Sequence, residues 1–271
     1  MKLYKYRKFN EWTIDGLINS SHYFASPIEL NDPLDCQICT KNIIDDAIAM
    51  LHQNYMRTSP ENEKIPALIE NLKMIKDHYM KPVDEAYGRL IKIGVLSLSK
   101  VSPNEPDSIL MWSHYTQDHT GLCLEFEMDE DNISLESEVE WHECLYDDSN
   151  PIIRLLINYP YATIGDINGE LDLHGVFEFA KGVDLVSVMT KSKPWEYEKE
   201  VRLVNPKKGP LKYWTSSLKT VTFGMKRAKA HKKAIMLMLS TKEYEHVKFK
   251  QITRSNLIFG FQSNPCSLDC I

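Results

Sequence analysis

From about Lys41 to Ile93 the chain is patterned for helix, and the segments on either side of it are patterned for strand. Ile65, Leu68, Ile69, Leu72 and Ile75 recur at three and four residues, the period that lines one face of an amphipathic helix. A polar loop at Thr58-Ser-Pro-Glu-Asn62 and Pro82 interrupt that pattern. Before it, Lys2–Tyr6 alternates charged and apolar residues in the two-residue period of a strand closed by Arg7. A short helical stretch over Phe9–Ile18 and a second strand at His22–Ala25 follow, then Leu30-Asn-Asp-Pro33, a turn in which Asn and Asp bond their own backbone and proline fixes φ. Gly94–Ser99, Leu122–Glu127, Val139–Tyr146, Thr220–Gly224 and Asn256–Phe261 read as further strands. Ile109–Gln117, Leu171–Leu185 and Arg227–Leu239 read as helices, and Ile152–Ile157 fits either period. Unevenly spaced strands with helices grouped early argue against a regular alternation of strand and helix. They predict one α+β domain over 1–271 with a helical insertion at about 41–93.

Composition narrows the setting. A chain of 271 residues with 43% hydrophobic content buries a sizeable core without a disulfide or metal. A net charge of −6 argues against a sequence-independent nucleic-acid coat protein. No apolar run approaches the ~20 residues that span a bilayer, and Met1–Arg7 leads straight into strand-like sequence, so the expectation is a cytoplasmic protein without membrane contact. Cys36-x-x-Cys39 and Cys266-x-x-x-Cys270 together offer four thiolates for zinc, but they lack the tight turns of a zinc knuckle. Reduced, partly buried thiols are the simpler reading, and no metal is expected.

The stretch that carries chemistry is Lys193-Pro-Trp-Glu-Tyr-Glu-Lys-Glu-Val-Arg-Leu203. Read as one strand, it places Glu198, Glu200 and Arg202 on one face and Tyr197, Lys199 and Val201 on the other. Two carboxylates so held can steady a developing cation and take a proton at a sugar centre; the same residues can equally form a salt-bridged sheet face. His114 and His119, five apart on a helix, diverge by about 140° and do not chelate one ion as an i, i+4 pair does. Arg227, Lys229, His231, Lys232 and Lys233 make a basic face in an acidic protein, either a solvated helix surface or a docking site for a phosphate-rich or acidic partner.

Arg7, Ser97-Leu-Ser99 and Tyr197-Glu-Lys-Glu200, in that order, resemble the arginine, serine and Glu-x-Glu elements of mono-ADP-ribosyltransferases of the bacterial-toxin type. Leu3-Tyr-Lys-Tyr-Arg7, Asn31-Asp-Pro33, Met111-Trp-Ser-His-Tyr115, Gly121–Phe126 and Trp195-x-Tyr-Glu-x-Glu-x-Arg202 are together similar to an uncharacterised bacterial domain family, for which no reaction is implied. The transferase resemblance implies a split β-sheet core forming a cleft, NAD as co-substrate, and transfer of ADP-ribose to a macromolecular acceptor, RNA or other nucleic acid or a protein. It also implies a toxin or antiphage role and control by an antitoxin or chaperone. Under it Glu200 and Glu198 are catalytic; Arg7, Ser97, Ser99, Tyr23 and Tyr197 hold NAD; and Lys229, Lys232 and Lys233 receive the acceptor. The chain departs from the toxin pattern in its helical insertion and in a serine strand without the central threonine. The alternatives are a non-catalytic nucleotide- or partner-binding module and a metal-dependent nuclease or hydrolase.

Overall fold

The computed structural model describes residues 1–36, 42–58, 66, 69–70, 73, 76–128, 139–158 and 174–268. In chain order the elements are β1 (Lys2–Arg7), α1 (Glu11–Ile18), β2 (Ser21–Phe24), α2 (Ile43–Thr58), α3 (Lys76–Leu90), β3 (Gly94–Ser99), α4 (Ser108–Tyr115), β4 (Leu122–Glu127), β5 (Glu140–Glu143), β6 (Leu145–Tyr146), α5 (Pro151–Asn158), α6 (His174–Met189), β7 (Thr190–Lys191), β8 (Glu200–Asn205), β9 (Gly209–Lys212), β10 (Leu218–Phe223), α7 (Lys229–Met238), β11 (Lys248–Arg254) and β12 (Phe261–Pro265).

The chain divides into two compact units. Met1–Ala25, Gly94–Cys144 and Pro194–Ile271 form the first; Ser26–Ile93 and Leu145–Lys193 form the second. In the second, α2, α3, α5 and α6 close over Ile43, Ala47, Leu51, Val83, Ala86, Ile152, Leu155 and Val183. The helical segment expected at about 41–93 falls here, and Ile152–Ile157 resolves as helix α5. Helix α3 runs through Pro82, where a break was expected. Of the periodic positions only Ile69 is described, and it is buried; Ile65, Leu68, Leu72 and Ile75 lie outside the described residues, as do Cys39 and Cys270.

The first unit is built on one eight-stranded sheet ordered β12-β11-β10-β4-β1-β3-β8-β5, antiparallel except between β10 and β11, with β2 and β9 forming a separate two-stranded pair. The architecture is therefore mixed α+β around a large, mostly antiparallel sheet. One sheet face carries Leu3, Leu98, Leu122, Leu124, Phe126, Val201, Leu203, Val221 and Phe223, packed with Leu17, Tyr213 and the α7 residues Ile235 and Met236. The other carries Tyr4, Tyr6, Cys123 and Ile252 against Met111 and Trp112 of α4.

Two strand assignments differ from expectation. Lys248-Phe-Lys-Gln-Ile-Thr-Arg254 is a strand, whereas Asn256–Gly260 is the turn that follows it. Lys193–Glu198 is a 3₁₀ turn, not the start of a strand. Pro194 suits the opening of a helical turn, and Lys199 adopts φ 44°, a left-handed conformation that ends it before β8 begins.

Close packing at the start of β4 depends on a missing side chain. A Cβ on Gly121 would lie 2.1 Å from the carbonyl oxygen of Arg7 and 2.8 Å from Thr116 Cβ. Gly121→Ala is accordingly expected to reduce stability by at least ~2 kcal/mol in urea unfolding, because backbone rather than a flexible side chain must move.

Candidate functional site

The polar residues of the first unit form two groups, and strand register separates them. Tyr4 of β1 lies opposite Ser99 of β3, and Ser99 lies opposite Glu200 of β8. Directly opposed residues share a face, so Tyr4, Ser99 and Glu200 form a row on the α4 side. Arg7, three residues beyond Tyr4, falls on the opposite face. The two glutamates and Arg7 therefore do not line one cleft, as the sequence pattern implied.

On the α4 side the first group is nearly sealed. Glu200 and Arg202, two residues apart on β8, pair through Glu200 Oε1 and Arg202 Nε at 2.8 Å, with side chains 3% and 0% exposed. Ser97 faces Arg202 across the sheet and is half-buried. Ser99 Oγ donates to the Glu198 carbonyl at 2.5 Å and accepts from Val101 N at 2.9 Å, so its hydroxyl pins the turn before β8. Glu198 is not a strand residue; it closes the 3₁₀ turn, is buried, and accepts a hydrogen bond from the Tyr115 hydroxyl. Burial first, then the charge and hydrogen bond of Glu198 and the charge of Glu200, push the Tyr115 pKa well up, which keeps that hydroxyl a donor. Tyr197 meets His114 Nδ1 at 2.8 Å, and Trp195 stands 6.0 Å from the same imidazole.

Residues 111–203 match a family model described as a protein of unknown function, DUF2971. No curated protein and no solved structure matches the chain. The matched stretch opens on Met111-Trp-Ser-His-Tyr115 and closes on Trp195-x-Tyr-Glu-x-Glu-x-Arg202. Its two ends are joined by the Tyr115–Glu198 and His114–Tyr197 hydrogen bonds, so both motifs build one structural junction.

The second group lies on the opposite face, in a shallow recess lined by Lys5, Arg7, Thr13, Ser21, His22 and Tyr213 among others. Asn10 caps α1 by accepting from Thr13 N, and β2 returns antiparallel to β9, which brings His22 beneath Arg7. Lys5 Nζ is bonded to the Ser97 carbonyl. Among the described residues, no carboxylate pairs with the Arg7 guanidinium, and burial lowers its pKa. His22 is 4% exposed, its Nε2 lacks a hydrogen-bond partner, and its ring packs 4.6 Å from Phe126. Burial, then the charges of Lys5 and Arg7, push the His22 pKa down to about 3, so the imidazole is neutral at ordinary pH.

The remaining expected site residues are dispersed. Tyr23 is 45% exposed on β2, alternating with inward His22 and Phe24. Lys232 Nζ donates to Gln251 Oε1 at 2.6 Å, whereas Lys229 and Lys233 are exposed on α7. Among the described residues, no group of three or more His, Cys, Asp or Glu is placed to hold a metal ion, and no helix is long and apolar enough to cross a membrane. His22, the residue sequence reasoning passed over, carried one signal: it opens the strand predicted at His22–Ala25, the next strand in the chain after the one that Arg7 closes.

Glu200→Gln removes the charge facing a fully buried guanidinium and is expected to cost about 2–5 kcal/mol in urea unfolding, with Glu200→Leu/Arg202→Met recovering much of it. His22, with its folded pKa lowered to about 3, refuses a proton that the unfolded chain accepts below about 6.5. Its contribution is fully present above the unfolded value and is lost as pH falls toward the folded one, at up to ~1.4 kcal/mol per pH unit. His22→Phe should flatten the urea-unfolding stability between about pH 6 and about pH 4 relative to wild type by that slope.

Proposed function

We propose that this protein binds a phosphate-bearing small ligand of the nucleotide class in the Arg7 recess, as a binding module in which Glu198 and Glu200 hold the sheet together. The observation that carries this reading is the Arg7 guanidinium, half-buried, without a carboxylate partner among the described residues, and lining a recess beside a neutral histidine with a free ring nitrogen. Even a partly buried cation without a counter-charge carries a desolvation cost, and an anion entering the recess would relieve it. Arginine's planar fork suits a phosphate bidentately. Neutral His22 can donate from Nε2 without adding a third repelling charge.

NAD is the ligand that the transferase resemblance singles out, and its diphosphate would sit on Arg7. Transfer of ADP-ribose needs a carboxylate at the ribose, and the carboxylates expected for that role lie on the other sheet face. The binding reading therefore stands without the transfer step.

Titration calorimetry with NAD, ADP and inorganic phosphate tests it. At least one of them should bind, and Arg7→Gln should weaken it by roughly tenfold or more without lowering thermal stability. Absence of heat and of thermal protection with all three would refute the reading. Label from NAD reaching the protein or nucleic-acid fraction of a lysate, and lost in a folded Glu198→Gln variant, would instead establish the transferase reading and its macromolecular acceptor.

A further inference from the structure

The hairpin joining β11 to β12 ends in three successive large apolar residues that touch almost nothing. Leu257 is 94% exposed, Ile258 57% and Phe259 104%. The tip is nonetheless a built turn. Ser255 N donates to the Gly260 carbonyl at 2.9 Å, Gly260 N to the Ile258 carbonyl at 2.9 Å, and the Ser255 hydroxyl accepts from Leu257 N at 3.2 Å and Ile258 N at 3.3 Å. Four of its backbone N–H groups are thus satisfied internally, which fixes the turn with these side chains exposed.

The same end of the sheet is basic. Strands β10 and β11 are parallel, so the loop after β10, which leads into α7, emerges beside the hairpin. Contacts confirm the adjacency: Lys226 N bonds the His119 carbonyl at 3.0 Å, and the His119 ring lies 5.4 Å from Phe261, the first residue after the tip. Lys226, Lys229, Lys233 and Arg254 are exposed there. Neither Gly224–Ser240 nor His246–Leu268 contains an Asp or Glu, although the whole chain carries −6. Lysines in the first turn of α7 oppose the helix dipole, so their placement does not stabilise the helix.

An apolar tip with cations on the segments at the same end of the sheet matches a surface that offers hydrocarbon below a layer of negative charge. The geometry points to docking on an anionic phospholipid bilayer, with Leu257, Ile258 and Phe259 entering the boundary between headgroups and acyl chains and Lys226, Lys229, Lys233 and Arg254 meeting the headgroups. Such a mode needs no spanning helix. A nucleic acid would neutralise the cations and could stack on Phe259, but it would leave Leu257 and Ile258 against phosphate and water.

Vesicle co-sedimentation of the full chain tests this surface. Wild type should bind vesicles containing phosphatidylserine more tightly than phosphatidylcholine alone, and the binding should weaken with salt. Leu257→Ser/Phe259→Ser should lower the partition coefficient by roughly tenfold or more. Lys229→Ser/Lys233→Ser should lower it several-fold and lessen the salt dependence. The altered side chains are exposed, so unchanged melting of both variants is expected to accompany the loss. Failure of wild type to bind either vesicle overturns the inference. So does equal binding by Leu257→Ser/Phe259→Ser, which would reduce the effect to charge adsorption. A nucleic-acid gel shift that depends on Lys229 and Lys233 but not on Phe259, without vesicle binding, would assign the patch to nucleic acid.

Discussion

The two-residue period of the central strands governs everything the first unit can do. Once Tyr4, Ser99 and Glu200 are opposed across β1, β3 and β8, every odd–even assignment on those strands is fixed. Leu3, Leu98 and Val201 must then face one core, and Tyr4 and Tyr6 the other. Arg7 follows Leu3 and Lys5 onto the first of these faces, away from the glutamates. Moving Arg7 to Glu200's side would require a one-residue slip of β1, which would expel Leu3 from its core and drive Tyr4 into it. That cost far exceeds anything a single ion pair returns.

Each face then disposes of its charge differently. On the α4 side, carboxylate and guanidinium neutralise one another within β8, and Tyr115, Ser99 and the left-handed Lys199 fix the Glu198 turn that leads into it. Such a pair adds little net stability over an apolar substitute, yet removing one member is expensive, so it specifies an arrangement more than it strengthens one. On the other side the cation has no such partner among the described residues. The asymmetry is what separates a structural cluster from a candidate ligand site: the satisfied group has no free valence to offer a ligand, whereas the unsatisfied one does.

Local patterning was legible wherever a strand's identity is decided by its own residues. Lys2–Arg7, Gly94–Ser99 and Leu122–Glu127 have the bounds that alternation or apolar continuity predicts. Lys193–Leu203 was not legible. Its turn is held by Ser99 Oγ on the Glu198 carbonyl and by Lys100 N on the Lys199 carbonyl, partners about a hundred residues away that no local window contains. The Arg7–Glu200 relation failed for the same reason, since it depends on the order β4-β1-β3-β8 and not on either strand alone. The hairpin at Ser255–Gly260 was misread because Leu-Ile-Phe has strand composition. Its turn identity comes from Ser255 and Gly260, and its exposure from having no facing layer.

The basic end and the Arg7 recess differ in the kind of anion each can discriminate. In the recess, Arg7 is half-buried beside fixed neighbours, so an anion of the kind proposed would be held at short range and lose less to salt. Around the hairpin tip, Lys226, Lys229, Lys233 and Arg254 are in water, where charge attracts any polyanion within about a Debye length and salt removes the attraction. Specificity at that end must come from Leu257, Ile258 and Phe259, because only hydrocarbon rewards their burial and salt does not weaken that term. Binding that fades with salt yet persists through the apolar tip would therefore distinguish a bilayer from a phosphate-rich polymer even where the two carry the same charge.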